Sequence, residues 1–414
     1  MSGYKVYFAH WVSHVHMMAI PALFPFLPEF FGLGYLELGF GVTIFMMVTL
    51  FLQVPAGFVV DRYGAKRLLG LGMIISALAF FSLAIFPSYF WFIVVMAVLG
   101  VVNTVYHPAD FSLLTASSPP ARLGRAYSYH TFSGNLGTAM TPALMYFSAL
   151  LGGVPLAFAV AGLLPLIASY LLDPVHTSRG KGKYYLFDHV IFPLKTTDRK
   201  GLSDDEWRKQ RINLALQIGI MTLFFTLVVL SMRPFEQFGQ TALIMGSNFS
   251  ELDATTLITV MLFTNAFGVL LGGRIADATS RHGLVAILGY LLAAVLTFFI
   301  TVVSLSFVPL LIVLMLIGFM VGMIAPSRDM MVKKISPPGT EGRIFATVSL
   351  GYHIGGAIVP IFMGWFLDNG LPDWVLLFAA LSMVGVVVIA LIQELFLVPK
   401  RYQSTADGSL KQAV

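Results

Sequence analysis

The chain has 414 residues, of which 57% are hydrophobic and only 11% are charged. An average soluble domain carries about 25% charged residues, and a chain this long in water could not cover so much apolar surface. The composition therefore excludes an ordinary water-soluble protein and predicts an integral membrane protein. Because the chain has no cysteine, disulfides, thiolate metal sites and thiol catalysis are excluded too.

Twelve apolar segments follow one another along the chain, separated by short breaks. A helix needs about 20 mostly apolar residues to cross a bilayer, and each segment is about that long or longer. The first segment has no small-residue cleavage site, so we expect it to be retained as a helix and not removed as a signal peptide. The predicted transmembrane helices cover 5–30, 36–60, 67–86, 89–115, 122–150, 153–173, 212–246, 254–277, 283–304, 306–332, 342–368 and 373–397.

The basic residues are distributed unevenly between the two ends of these helices. Of the 25 Lys and Arg residues, all except Arg233 and Arg328 fall at the end that also holds both termini and the longest loop. Cytoplasmic loops carry an excess of Lys and Arg. We therefore expect this end, with both termini, to be cytoplasmic and the chain to lie in a cytoplasmic (inner) membrane. The net charge of +5 then reflects topology, and no nucleic-acid partner is indicated.

One long polar stretch divides the chain into two related halves. We expect a six-helix bundle over 1–173, a cytoplasmic linker over 174–210, a second six-helix bundle over 211–397 and a cytoplasmic tail over 398–414. Residues of the two halves match at an offset of 218 positions: Pro108 and Pro326, Gly124-Arg125 and Gly342-Arg343, Gly137 and Gly355, and Pro142 and Pro360. Repeated halves are typical of secondary transporters, which bind substrate near the midplane between the repeats.

Several motifs resemble those of the major facilitator superfamily. GFVVDRYGAKR (57–67) resembles its loop signature, and GRIADATSRHG (273–283) resembles a weaker copy of that loop. YHPADFSLL (106–114) and GRAYSYHTFSGNLGTAMTP (124–142) are similar to the fosmidomycin-resistance-like branch of drug:proton antiporters. The resemblance implies an all-α membrane protein with twelve transmembrane helices in two pseudo-symmetric six-helix bundles. One departure is that Met17 and Met18 stand where the branch commonly has an aspartate.

The resemblance also implies a gate at the basic end. In the superfamily the signature loop tunes the conformational equilibrium; the alternative is that its positive charges only anchor the topology. The residues that we expect to gate are Asp61, Arg62, Gly64, Lys66, Arg67, Arg125, Asp277 and Arg343.

Charged and polar residues inside the predicted helices are the candidates for the substrate site, because such residues are costly in a membrane. We expect Arg233 and Arg328 to attract an anionic group, since a guanidinium stays charged and binds in a bidentate manner. Asp110, Glu236 or Asp329 would take up the coupling proton. The alternative is a set of standing ion pairs, Arg233–Glu236 with Arg328–Asp329 or Arg328–Asp110. The other expected substrate-binding residues are His107, Asn103, Gln240, His14 and His353.

His10 and His14, one helical turn apart, resemble a two-histidine metal pair. No third ligand is evident, so we expect helix packing, no metal and no cofactor. A membrane enzyme is not favoured, because no nucleophile motif or phosphate loop is present. The expected partners are the lipid bilayer, a small-molecule substrate and protons, with the chain as a monomer. The prediction is a proton-coupled transporter of an anionic or amphiphilic solute that works by alternating access; the alternative is an uncoupled facilitator or an importer of an organic anion.

Overall fold

The computed structural model describes residues 3–119, 122–173, 203–247, 249–337 and 340–397. The predicted linker outside 203–210 and the predicted tail lie outside the described residues. In the first half the helices are α1 (Gly3–Ala22), α2 (Leu27–Phe31), α3 (Tyr35–Tyr63), α4 (Ala65–Ile85), α5 (Tyr89–Ser117) and α6 (Leu123–Leu172). In the second half they are α7 (Asp204–Arg233), α8 (Gly239–Ser247), α9 (Glu251–Ala278), α10 (His282–Val302), α11 (Phe307–Ile335), α12 (Glu341–Val348), α13 (Leu350–Asp368) and α14 (Asp373–Ile392), with π-helical turns at Pro234–Phe238 and Gln393–Leu397.

Twelve membrane crossings can be assigned within the described ranges. Ten helical stretches there are long and apolar enough to span a membrane. The stretch Arg125–Leu172 has 48 residues, about 72 Å at 1.5 Å per residue, which is twice what a bilayer core requires. It breaks at Gly152 and Gly153, where Gly153 has a φ of +70°, and so provides two crossings. Helix α1, with 20 residues, completes the expected all-α fold of two six-helix halves.

Two predicted boundaries were wrong. The first predicted helix, 5–30, ends at Ala22 and resumes as the short helix α2, which has a proline in its first turn. The predicted helix 212–246 begins earlier, at Asp204, and is continuous with the linker residues near 203–210, where the sequence predicts a surface helix. Ser203 explains that start, because its hydroxyl accepts a hydrogen bond from the Glu206 amide while the Glu206 carboxylate accepts one from the Ser203 amide. This reciprocal capping box stabilises the beginning of a helix.

The matched glycines of the two halves have the same structural role. A Cβ placed on Gly137 of α6 would lie 2.5 Å from the main-chain oxygen of Trp11 on α1. A Cβ placed on Gly355 of α13 would lie 2.8 Å from the main-chain oxygen of Thr226 on α7. In each half a helix therefore packs directly against the backbone of the first membrane helix, as small residues allow in membrane proteins.

The two halves contact each other through α3 and α13 at the end opposite the basic loops. The Thr43 hydroxyl donates to the main-chain oxygen of Ala357 at 2.9 Å. Nearer the membrane surface, the Asp368 carboxylate at the end of α13 accepts hydrogen bonds from the amides of Tyr35 and Leu36, at 2.7 and 2.8 Å. These amides belong to the first turn of α3 and have no acceptor within the helix itself. A negative charge is favourable at such a helix N-terminus. An aspartate of one half thus caps a helix of the other.

Gly137→Ala tests the close packing of α1 against α6. Because a main-chain oxygen cannot move aside cheaply, the added methyl group should destabilise the protein by about 1–3 kcal/mol. Thermal unfolding in detergent, measured as the amount of monodisperse protein that remains after heating, would show a lower midpoint. Gly219→Ala is the control, since nothing lies within 4 Å of a Cβ at that position of α7. An unchanged midpoint for Gly137→Ala would show that the contact is loose.

Asp368→Asn tests the cap between the halves. Removing the charge from an exposed helix terminus costs about 0.3–1 kcal/mol, so transient separation at this end should increase roughly two- to fivefold. The chain has no cysteine, and Thr43→Cys therefore introduces a single thiol between the halves, whose labelling rate reports the separation. Asp373→Asn, an exposed carboxylate at the start of α14, is the matched control. Equal labelling rates in the two variants would contradict a role for the cap.

Candidate substrate site between the two halves

Arg233 lies at the end of α7, where the helix changes character. Pro234 cannot donate a main-chain hydrogen bond, and the next residues form a π-helical turn, Pro234–Phe238. Such turns are frequent at functional sites. The Arg233 side chain is 18% exposed, and its Nη1 lies 3.1 Å from Oε2 of Glu236. The expected Arg233–Glu236 ion pair is therefore present.

Arg233 also reaches the other half of the molecule. Its Nη1 lies 3.8 Å from the sulfur of Met18, and its Nη2 lies 3.6 Å from the sulfur of Met17. Both methionines belong to α1. A thioether is a weak acceptor, so these donors of a charged group face partners much weaker than a carboxylate. The guanidinium therefore lies between the halves, and toward α1 its N–H groups have only these weak acceptors.

Arg328 on α11 is held by one acid and two aromatic rings. Its Nε and Nη2 lie 3.0 and 2.9 Å from Oδ1 of Asp329. Its guanidinium carbon lies 5.0 Å from the ring centroid of Phe225 and 5.3 Å from that of Tyr352. Ring faces attract cations at these distances. The structure therefore contains the Arg328–Asp329 pair, and the alternative Arg328–Asp110 pair is wrong.

Asp110 lies instead within the first half, beneath a group of histidines. It is fully buried, and its Oδ2 lies 3.1 Å from both Nδ1 of His10 and Nε2 of His130. The His10 and His130 rings stack with centroids 3.5 Å apart. His107 is exposed, and its ring centroid lies 5.2 Å from that of His10. The carboxylate thus fixes the His10 and His130 rings, and the adjacent His107 ring is exposed.

The histidines of the first half and the cations of the second half face the same space. His14, which bonds Thr138 at 2.9 Å, interacts electrostatically with Arg233. His353 on α13 interacts electrostatically with Arg233, and with His107 across the two halves. Expected site residues from α1, α5, α7 and α13 therefore lie within electrostatic range of one another.

Tyr352 connects this space to Arg328. It interacts electrostatically with Arg233 as well as with Arg328. Both guanidinium groups therefore lie within electrostatic range of Tyr352, and Arg328 contacts its ring.

Two expected site residues occupy other places. Asn103 is partly buried and its amide lies 3.4 Å from the Thr49 hydroxyl, between α5 and α3 of one half. Gln240 is buried on α8 and donates to the Thr255 hydroxyl on α9 at 2.8 Å. Both contacts are internal to a bundle, so these side chains are not brought to the two arginines.

The expected gating residues lie at the basic end, as their loops require. Gly64 separates α3 from α4 with a φ of +94°, a conformation that glycine adopts without strain. Arg62 lies over the ring of Tyr63, and Asp61, Arg67, Arg125 and Asp277 are exposed, whereas Lys66 and Arg343 are partly buried. Within the described ranges, no ion pair joins these groups across the two halves.

Sequence reasoning missed several contributors to the site. Phe225 and Tyr352 were not singled out, although both contact Arg328. In the sequence, Met17 and Met18 stand out only as a departure from the pattern of the fosmidomycin-resistance-like branch. Their thioethers are nevertheless contacts of Arg233. The sequence offers one signal for Tyr352: it is an aromatic residue directly before His353, on a helix that carries small residues.

Comparison with known families agrees with the fold. The family model described as Major Facilitator Superfamily matches residues 6–247 and 212–412. The fosmidomycin resistance protein of Escherichia coli (strain K12) is 22% identical over 278 residues, which are 66% of this chain and 64% of that protein. The uncharacterized MFS-type transporter YfnC of Bacillus subtilis (strain 168) is 27% identical over 135 residues, 33% of either chain. These two matches span less than two thirds of the relatives' own length.

A longer match and a solved structure extend the comparison. The multi-drug resistance efflux pump PmrA homolog of Lactococcus lactis subsp. lactis (strain IL1403) is 23% identical over 312 residues, 74% of this chain and 72% of that protein. A bacterial homolog to the human lysosomal transporter Spinster, in an inward-facing and unoccupied conformation, superposes with a TM-score of 0.67 over 96% of this chain and 95% of that one, at 15% identity. This multi-pass membrane protein has the fold of a transporter, and it belongs to the major facilitator superfamily.

Proposed function

We propose that the chain moves a small organic anion across the cytoplasmic membrane by alternating access, coupled to protons. The observation that carries the proposal is the pair of guanidinium groups inside the membrane, Arg233 and Arg328, of which Arg233 faces α1 of the other half through two thioethers. Ionisable groups at this depth are expensive and mark substrate pathways. A carboxylate, phosphonate or phosphate would replace the weak sulfur acceptors with charge-assisted hydrogen bonds.

The site between the halves supports alternating access. The halves are joined at the end that Asp368 caps, whereas the gating groups at the basic end form no ion pair across the halves in the part of the chain described. If the basic end is cytoplasmic, as its excess of Lys and Arg suggests, this is the arrangement of a site that opens inward. We assign the residues from Asp61 to Arg67, with Arg125, Asp277 and Arg343, to the closing of that end, where weak exposed ion pairs permit both states.

Proton coupling follows from competition for the same guanidinium. Glu236 and an anionic substrate would both bind Arg233, and Asp329 stands in the same relation to Arg328. A proton on the carboxylate releases the arginine for the anion, so proton and anion bind together and would move in the same direction. An antiporter would need the opposite relation, in which a cationic substrate competes with protons for Glu236 or Asp329. The expectation that Asp110 carries the proton stays a prediction, and its full burial between two histidines argues for the other two.

A ligand screen tests the anion site. Purified protein should be stabilised against heat by one or more organic anions, and not by cations alone. Arg233→Gln and Arg328→Gln should each lower the affinity for that anion roughly 10- to 100-fold, since a hydrogen bond to a charged group contributes about 1.5–3 kcal/mol. Arg274→Gln, an exposed arginine at the basic end, should bind normally. Stabilisation by cations alone, or equal binding by all three variants, would overturn the proposal.

The pH dependence of binding tests the coupling. Because proton and anion bind together, the affinity for the anion should rise as pH falls, and Glu236→Gln or Asp329→Asn should flatten that dependence. Glu251→Gln, which alters an exposed carboxylate at the opposite end, is the control. Binding that strengthens as pH rises would instead support exchange. If Asp110→Asn alone abolished proton-driven uptake into vesicles, the assignment to Glu236 and Asp329 would be wrong.

A further inference from the structure

Three histidines from three different helices converge in the first half. His10 lies on α1, His107 on α5 and His130 on α6, and each offers a ring nitrogen within 4.8 Å of those of the other two. The sequence shows only the pair His10 and His14, because the other ligands are about a hundred positions away. The fold thus brings together three histidines, a set that the sequence pattern does not reveal.

Asp110 prepares two of these imidazoles for a ligand. It bonds Nδ1 of His10 and Nε2 of His130 through the same oxygen, at 3.1 Å each. When those ring nitrogens carry their protons, the other nitrogen of each ring, Nε2 of His10 and Nδ1 of His130, is left with a free lone pair. A carboxylate behind a histidine is the usual outer partner of a metal-binding imidazole, because it fixes the tautomer and the ring orientation.

The surroundings are compatible with a divalent cation that remains accessible. His107 is exposed, so a bound ion could keep a water molecule or an anion as a fourth ligand. The Arg233 guanidinium, which interacts with His14 and His353, would oppose a cation, whereas the Asp110 carboxylate bonds two of the three ligands directly. The α6 backbone lies close to the site, since a Cβ on Gly134 would lie 2.6 Å from Nε2 of His10 and 2.7 Å from Nε2 of His14.

We propose that His10, His107 and His130 bind a first-row transition-metal dication such as Zn²⁺ or Co²⁺, with Asp110 as the positioning residue. Imidazole ligands suit these ions and do not suit Mg²⁺ or Ca²⁺. Metal–nitrogen bonds of about 2.0–2.1 Å in a tetrahedral site place the nitrogens about 3.3 Å apart. The ligand nitrogens lie within 4.8 Å of one another, so the rings would have to reorient to bring them up to about 1.5 Å closer. The three ligands and Asp110 all belong to the first half, so cation binding does not require Arg233 or Arg328.

Cobalt binding to the purified, tag-free chain tests the site. Tetrahedral Co²⁺ absorbs visible light strongly, and the chain has no cysteine that could supply competing thiolate ligands. We expect one Co²⁺ per chain, displaced by Zn²⁺ and not by Mg²⁺. His107→Ala should weaken binding at least tenfold, and Asp110→Asn roughly 10- to 100-fold, whereas His353→Ala should bind as the natural chain does.

Two results would overturn the proposal. One is the absence of saturable Co²⁺ or Zn²⁺ binding to protein that elutes as a single species. The other is binding that His107→Ala leaves unchanged or that His353→Ala removes to the same extent. Because His107 is exposed, its alanine variant should fold, and an unchanged thermal midpoint without metal establishes this. Anion affinity measured on the same samples without metal separates a failure of this site from a failure of the proposed function.

Discussion

The structure depends on the cost of placing charge inside a membrane. An ionised side chain in hydrocarbon must be paired, bonded to polar groups or exposed to a water-filled space. Each intramembrane charge described here follows that rule in its own way. Arg328 is enclosed by Asp329 and two rings, Asp110 is held by two histidines, and Arg233 is shared between Glu236 and two thioethers.

These three arrangements differ in how firmly the charge is held, and that difference separates their roles. Asp110 is fully buried, and both of its histidine partners belong to its own half. Arg233 has its acid three residues away and two partners on the other half, so the proposed movement of the halves would change its surroundings. A group whose partners change between states can couple binding to movement, because a ligand shifts an equilibrium only through its different affinity for the two states.

Much of the fold and part of the site could be predicted from the sequence. The twelve crossings follow from apolar length, and the Arg233–Glu236 pair follows from a separation of three positions. Neighbouring residues of a helix do not normally face each other, so the sequence left Arg328 with two alternative partners, Asp329 and Asp110. The contacts that define the site and the cap between the halves join residues far apart in the chain: Asp110 with His10 and Arg233 with Met17 in the site, and Asp368 with Tyr35 in the cap. Helical spacing shows which residues share a face, but it does not show which faces meet. For that reason Gln240, seven positions after Arg233 in the same predicted helix, is expected in the site but bonds Thr255 within its own bundle.

The most direct test of the anion site is an experimental density map of the chain with a bromine-labelled organic anion that stabilises it. We expect anomalous density for the anion between the two halves, within contact distance of the Arg233 guanidinium. It should lie beside Tyr352, with Arg328 on the same side. Density elsewhere, or a map in which both arginine side chains point into lipid or are enclosed in separate bundles, would contradict it.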